Sequence, residues 1–197
     1  VDIAKNYKNM SMHDSTVVYY NKALKSLPEN QSKYYLKSKV YQSWSDLKNY
    51  LGQKDSTIYY LDLALLNART VQDSGLIIGI MSDMARFNSN NNKIKDAITL
   101  LQSVKEYQIR HEDYDKLKYS YNQLGVCYFL IKEPEAARET FFEGLEIPSE
   151  DEGYMDMHIY NNLGRLYSVH FKMQDSAIYY YHKSAEVALR TNQIYSW

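Results

Sequence analysis

The sequence predicts an all-α fold, and three observations support that prediction. The chain of 197 residues is 45% hydrophobic and 24% charged, which is typical of a globular protein. It contains only 7 Gly and 3 Pro, too few for the many tight turns of an all-β fold. A motif recurs about every 40 residues, with apolar residues at helical spacing inside each copy. Such a period is the signature of a chain built from repeated helical units.

The repeated motif begins with Asp-Ser and ends in a pair of tyrosines. Asp-Ser-Thr-Val-Val-Tyr-Tyr at 14–20 returns as Asp-Ser-Thr-Ile-Tyr-Tyr at 55–60 and as Asp-Ser-Ala-Ile-Tyr-Tyr-Tyr at 175–181. Weaker copies lie at 95–101 and 135–141. In each Tyr-Tyr pair we expect one ring to pack between helices and the other to face outward. The aligned small residues are spaced by 41, 40, 40 and 40, and they are Thr16, Thr57, Ala97, Ala137 and Ala177.

A second helical stretch lies between successive motifs. Two helices of about 16 residues and two short loops fill one period, so the predicted unit is a helical hairpin. Asp or Ser ahead of a motif helix is expected to be its N-cap, and Pro134 suits a first turn. The polar segment 88–92 is expected to be a loop. The stretch between motifs is called the first helix of each hairpin, and the motif forms its second helix. The predicted first helices are Tyr34 to Leu51, Gly75 to Phe87, Tyr114 to Ile131 and Tyr154 to Phe171.

One hairpin cannot bury its apolar face alone, so the hairpins are expected to stack into one continuous solenoid domain over 1–197. The chain ends amid Ile194, Tyr195 and Trp197, where a terminal repeat would carry a polar cap. We therefore expect a fragment of a longer protein. The predicted copies span 1–28, 31–69, 73–109, 113–148 and 151–191, with the start of a sixth at 193–197.

Two copies carry a more specific pattern. Residues 121–128 read Tyr-Asn-Gln-Leu-Gly-Val-Cys-Tyr, and Ala137, Phe141 and Gly144 follow them. Residues 160–167 read Tyr-Asn-Asn-Leu-Gly-Arg-Leu-Tyr. This pattern resembles the signature of the tetratricopeptide repeat (TPR) family, and the long period resembles its bacterial branch with repeats of about 40 residues.

The resemblance implies an all-α fold, a right-handed α-α superhelix (solenoid) of TPR-like helical hairpins. Within each hairpin, Gly125 or Gly164 is expected to let the first helix approach the small residue of the second helix.

Several function classes find no support in the sequence. With 23 Lys+Arg against 24 Asp+Glu and a net charge of -1, the chain has no basic footprint for nucleic acid. Its longest apolar run, at 75–81, is too short to span a membrane. The glycines form no nucleotide-binding pattern, and no two histidines have the i, i+4 spacing of a zinc site. Cys127 is expected to be a small buried residue. We therefore expect no catalytic activity, no metal and no cofactor.

In TPR domains the first helices line a concave groove, and the resemblance assigns that role to one set of positions here. Asn side chains donate and accept hydrogen bonds at once, which suits them to hold a peptide backbone. Arginine can hold a carboxylate. Lysine is absent from these positions in the fourth and fifth copies, which argues against the family's carboxylate clamp for acidic tails. The candidate groove residues are Asn122, Val126, Phe129, His158, Asn161, Asn162, Arg165, Arg86 and Asp83, with Gln42 in the second copy.

The predicted function is therefore the binding of a protein or peptide ligand. The long period and truncated ends indicate the sensory or interaction region of a bacterial signalling or transcription regulator. A free-standing TPR adaptor or scaffold is the alternative, and a hydrolase or transferase would need a catalytic domain elsewhere in the parent chain. The single cysteine allows either the periplasm, as part of a membrane-anchored regulator, or the cytoplasm. Oligomers through exposed end repeats stay open.

Overall fold

The computed structural model describes residues 13–27, 32–148 and 153–191. Over these ranges every regular element is helical, so the all-α prediction is confirmed. The predicted sixth copy lies outside the described residues, as do residues 1–12, 28–31 and 149–152. The elements are α1 (His13–Lys25), α2 (Ser32–Tyr50), α3 (Lys54–Val71), α4 (Ser74–Asn90), α5 (Ile94–Arg110), α6 (Tyr114–Leu130), α7 (Pro134–Glu146), α8 (Tyr154–Leu166), a π-helical segment (Tyr167–Phe171) and α9 (Gln174–Arg190).

The chain forms two compact units, Val1–Met84 and Ala85–Trp197, whose boundary lies inside α4. In the first unit, α2 packs against α3 as a hairpin. In the second unit, α6 pairs with α7 and α8 pairs with α9, while α6 also contacts α8. The grouping of the whole chain into one domain, with the copy bounds given above, stays a prediction.

Turns with a left-handed residue connect the helices at the same period as the motif. Inside the hairpins these residues are Gly52, Asn92, Lys132 and Lys172, with φ of 70°, 62°, 62° and 57°. A left-handed conformation costs a non-glycine residue roughly 1–2 kcal/mol. Each turn closes with a backbone bond, such as Glu133 N–H to the Tyr128 carbonyl at 3.0 Å. The turn geometry therefore repeats every 40 residues even where the residue type does not favour it.

Helix ends differ from the predicted ones. The N-cap positions of α3 and α9 are Gln53 and Met173, and neither side chain bonds the helix. The prediction of Asp or Ser caps is wrong there, because Asp55 and Asp175 lie in the first turns, where a carboxylate interacts favourably with the helix dipole. Pro134 does lie at the start of α7, as predicted.

Two other predicted boundaries are also wrong. The segment expected to be a loop from residue 88 is helical up to Asn90, and the Asn91 side chain donates to the Phe87 carbonyl at 2.8 Å to close the end. The stretch from Tyr154 to Phe171 is not one α-helix, because its last five residues form a π-helix.

Aromatic packing forms the core of the first unit. Tyr20, Val40, Trp44 and Leu47 are buried together. Tyr60 stacks on Trp44 with ring centroids 5.1 Å apart, while its neighbour Tyr59 is 58% exposed. The prediction of one inward and one outward ring in each Tyr-Tyr pair is therefore confirmed for this pair.

The second unit repeats this arrangement. Tyr180 stacks on Tyr167 and Tyr160 with ring centroids 5.1 Å and 6.4 Å away, while Tyr179 is exposed. Burial and the neighbouring Tyr167 hydroxyl raise the pKa of Tyr180 to about 12, so the phenol stays neutral. Cys127 is fully buried, as predicted, and burial raises the pKa of its thiol.

The two signature glycines have a different partner from the one expected. A Cβ on Gly125 would collide with the Phe141 ring. A Cβ on Gly164 would stand 2.6 Å from the Tyr181 ring. These glycines therefore make room for an aromatic ring of the second helix, not for its small residue, because Phe141 and Tyr181 lie one helical turn beyond Ala137 and Ala177.

Replacing Gly164 by alanine is expected to lower the free energy of unfolding by about 1–3 kcal/mol, because the Tyr181 ring must move. Chemical denaturation followed by circular dichroism measures this change. The matched control is Gly79→Ala. Gly79 lies in α4, the first helix of its hairpin, and nothing lies within 4 Å of the added Cβ. That control is expected to raise stability by roughly 0.4–1 kcal/mol. Equal effects of the two substitutions on the free energy of unfolding would contradict the role of Gly164 in making room for the Tyr181 ring.

Candidate functional site

Two asparagines join the first helices of successive hairpins in the second unit. Asn162 in α8 donates from Nδ2 to Oδ1 of Asn122 in α6, at 2.8 Å. Asn122 is 6% exposed, and Asn162 is half-buried. The two residues stand 40 positions apart, so the bond follows from the stacking of one repeat on the next. The structure thus brings two of the predicted groove residues together.

A similar polar pair joins α2 and α4 in the first unit. Gln42 donates from Nε2 to Oδ2 of Asp83 at 2.5 Å, across 41 positions. Both members were predicted as groove residues. Each unit therefore carries an amide that crosses from one first helix to the next.

An aromatic ring lies two turns beyond Asn122 along α6, and an arginine lies one turn beyond Asn162 along α8. The Arg165 guanidinium carbon is 5.2 Å from the centroid of the Phe129 ring. The Phe129 ring and the His170 ring meet edge to face, with their centroids 4.6 Å apart and their planes at 85°. Arg165 itself is exposed, so a second pair of predicted residues is brought together at the surface. His170 was missed, and it lies in the π-helical segment that the sequence did not predict.

The remaining predicted residues are more dispersed. Val126 is half-buried and packs against the core cluster around Phe141. Asn161 is half-buried next to Asn162, and Arg86 is exposed on α4. His158 lies near the start of α8, edge-on to Tyr154 with centroids 4.7 Å apart. Their assignment to a binding site stays a prediction.

A buried ion pair was not anticipated from the sequence. Lys118 Nζ lies 2.6 Å from Asp156 Oδ1, and the lysine side chain is only 4% exposed. One signal was available: Lys118 shares the inward stripe of α6 with Tyr121 and Gly125, at i, i+3 and i+7. A lysine on such a stripe needs a partner, which the sequence alone does not identify.

Among the described residues, no group of three or more histidine, cysteine, aspartate or glutamate side chains is arranged to hold a metal ion. Over the same ranges, none of the helices combines the length and the apolar character that a membrane crossing needs.

The described helices thus define an all-α helical repeat protein. No protein-family model matches the sequence, and no curated protein does. Solved structures do resemble it. BtubC (BKLC) from P. vanneervenii superposes with a TM-score of 0.76 at 17% identity, over 100% of this chain and 80% of that one. A putative kinesin light chain from Podosopora anserina, with nearly identical TPR-like repeats, superposes with a TM-score of 0.76 at 15% identity.

The superposition on the Podosopora structure covers 98% of this chain and 94% of that one. A second structure of those repeats gives a TM-score of 0.73 at 14% identity, over 96% and 93% of the two chains. These likenesses are of fold. They confirm that the helical repeat is TPR-like.

The His158 imidazole is expected to titrate below the ordinary histidine pKa of 6.5, because burial disfavours its charged form. An NMR titration of its ring proton measures the midpoint, and a midpoint at or above 6.5 would contradict the expectation.

Below the ordinary histidine pKa, the unfolded chain takes up the proton before the folded chain does. The stability conferred by neutral His158 is therefore fully present at pH values above the ordinary histidine pKa. It is lost as the pH falls below that value and through the lower pKa of the folded protein. His158→Gln should remove this loss, whereas His111→Gln, on the exposed end of α5, should not.

Proposed function

We propose that one surface of the second unit, the first-helix face formed by Asn122, Phe129, Asn162 and Arg165, binds an extended peptide segment of a partner protein. The observation that carries this proposal is the pairing of these four residues across α6 and α8. A TPR-like fold supports a role in protein interaction. No catalytic step is proposed.

The asparagine pair is suited to a peptide backbone. Its hydrogen bond uses one amide hydrogen of Asn162 and the oxygen of Asn122. Within the described residues, the Asn162 oxygen and the Asn122 amide nitrogen have no other protein partner, so an acceptor and a donor remain for a ligand. An extended peptide offers backbone N–H and C=O groups in that combination.

Arg165 is suited to an acidic group on the same peptide. Its guanidinium stacks over Phe129 and, within the described part of the chain, forms no ion pair or hydrogen bond. The contact with the ring holds the guanidinium in place, and its N–H groups can donate to a carboxylate. The ligand is therefore expected to carry an aspartate, a glutamate or a terminal carboxylate near a backbone segment held by the asparagines.

Two biological settings fit such a face. The first is the sensory or interaction region of a bacterial signalling or transcription regulator, which the long repeat period supports. The second is a free-standing adaptor, which would be built from the same helical hairpins. Sequencing the parent coding region distinguishes them: a kinase or DNA-binding domain beyond residue 197 indicates a regulator, and a polar capping helix followed by a stop codon indicates an adaptor.

A library of ten-residue peptides displayed on phage, selected on the purified chain, tests the face directly. The selected peptides are expected to be enriched in acidic residues. Fluorescence polarisation with a selected peptide should show that Arg165→Gln weakens binding at least about tenfold, because a charge-assisted bond is lost. Asn162→Ala should weaken it less.

The matched control is Arg138→Gln. Arg138 also lies over a phenylalanine, 5.6 Å from the centroid of Phe171, but on the second helix α7. Peptide affinity should be unchanged in this variant. Selected peptides that bind the Arg165 and Asn162 variants as tightly as the unaltered chain would overturn the assignment of the first-helix face.

A further inference from the structure

A cavity of about 550 Å³ lies in the second unit, away from Phe129 and Arg165. It is formed where the first turns of α6 and α8 approach the ends of α7 and α9. Its size falls within the range of pockets that take small molecules. The described residues that line it are Lys118, Ile147, Pro148, Gly153, Asp156, Arg190 and Thr191.

The Lys118 ammonium is the most buried charge of this cavity. Its side chain is 4% exposed, and Asp156 Oδ1 at 2.6 Å is its bonded acceptor. An ammonium carries three N–H donors. Among the described residues no second acceptor bonds Lys118, so two donors of a nearly buried cation remain for a molecule that enters the cavity.

The equivalent positions of the other repeats carry no charge. Ser38 in α2 stands 80 positions before Lys118, and Met157 in α8 stands 39 positions after it. Both are buried like Lys118, and both are uncharged. Replacing a buried ion pair by apolar groups is often neutral or stabilising. A lysine where the other repeats use serine, isoleucine or methionine therefore indicates a function beyond packing.

A second cation lies at the rim. Arg190 ends α9, and its Nη2 atom is 2.9 Å from the point that a Cβ on Gly153 would occupy. Within the described residues Arg190 has no ion-pair partner. Among the described residues that line the cavity, the two cations face one carboxylate, that of Asp156. Ile147 and Pro148 supply an apolar wall beside it.

We propose that this cavity binds a small organic anion, with its carboxylate or phosphate group between Lys118 and Arg190 and its apolar body against Ile147 and Pro148. The oxyanion accepts from the remaining donors of Lys118 and from the Arg190 guanidinium. The site does not depend on peptide binding at the first-helix face, since it shares none of those four residues.

Titration of the nitrogen-15-labelled chain with benzoate and with phenyl phosphate, followed by amide NMR, tests the proposal. A saturable shift of the Gly153 and Thr191 amides is expected at constant ionic strength. The probe with the lower dissociation constant identifies the preferred oxyanion, carboxylate or phosphate. Arg190→Gln is expected to weaken binding about tenfold.

Two further variants make the test specific. Lys118→Met introduces the side chain that the matching position 157 already carries, and it should also weaken binding while the spectrum stays that of a folded chain. Arg110→Gln, at the corresponding end of α5, should leave binding unchanged. The proposal is overturned if neither probe gives saturable shifts below about 10 mM. It is also overturned if Arg190→Gln binds as tightly as the unaltered chain.

Discussion

A helical hairpin leaves one face of its second helix uncovered, and the next first helix must cover it. Phe141 shows how this is done in the second unit. Its ring lies against Gly125 on one side and joins the cluster of Ile159, Leu163 and Leu166 from α8 on the other. At the same motif position, Tyr20, Leu61, Leu101 and Phe141 are at most 3% exposed. Tyr181, in the last helix that the structure describes, is 38% exposed, so burial at this position depends on cover by another helix.

The same stacking positions the candidate site. Because α8 covers α7, it also lies beside α6, and residues about 40 positions apart become neighbours. Asn122 meets Asn162 and Phe129 meets Arg165 for this reason. Lys118 meets Asp156 across 38 positions in the same way. The apolar contacts supply the free energy, and the polar pairs occupy positions that those contacts bring together.

The sequence predicted what the period determines. The helical content and the inward and outward rings of the Tyr59–Tyr60 pair follow from apolar spacing, because spacing reports which face of a helix is buried. It did not predict the helix caps or the left-handed turns at Lys132 and Lys172, because backbone bonds close those turns whatever the side chain. It also missed the partners of Gly164 and Lys118, since a partner on another helix is defined only by packing.

A repeat protein offers an internal standard for separating structure from function. A position where all copies agree is explained by packing, as at Tyr20, Leu61, Leu101 and Phe141. A buried position where one copy departs, and where the departure costs desolvation, needs another reason. Lys118 is such a position, because serine, isoleucine and methionine fill its equivalents without a charge. Asn162 and Arg165 differ from it, since solvent reaches them and their identity costs the fold little. The burial of Lys118 therefore makes it the stronger indicator of a selected function, and exposure makes Arg165 the more accessible to a large ligand.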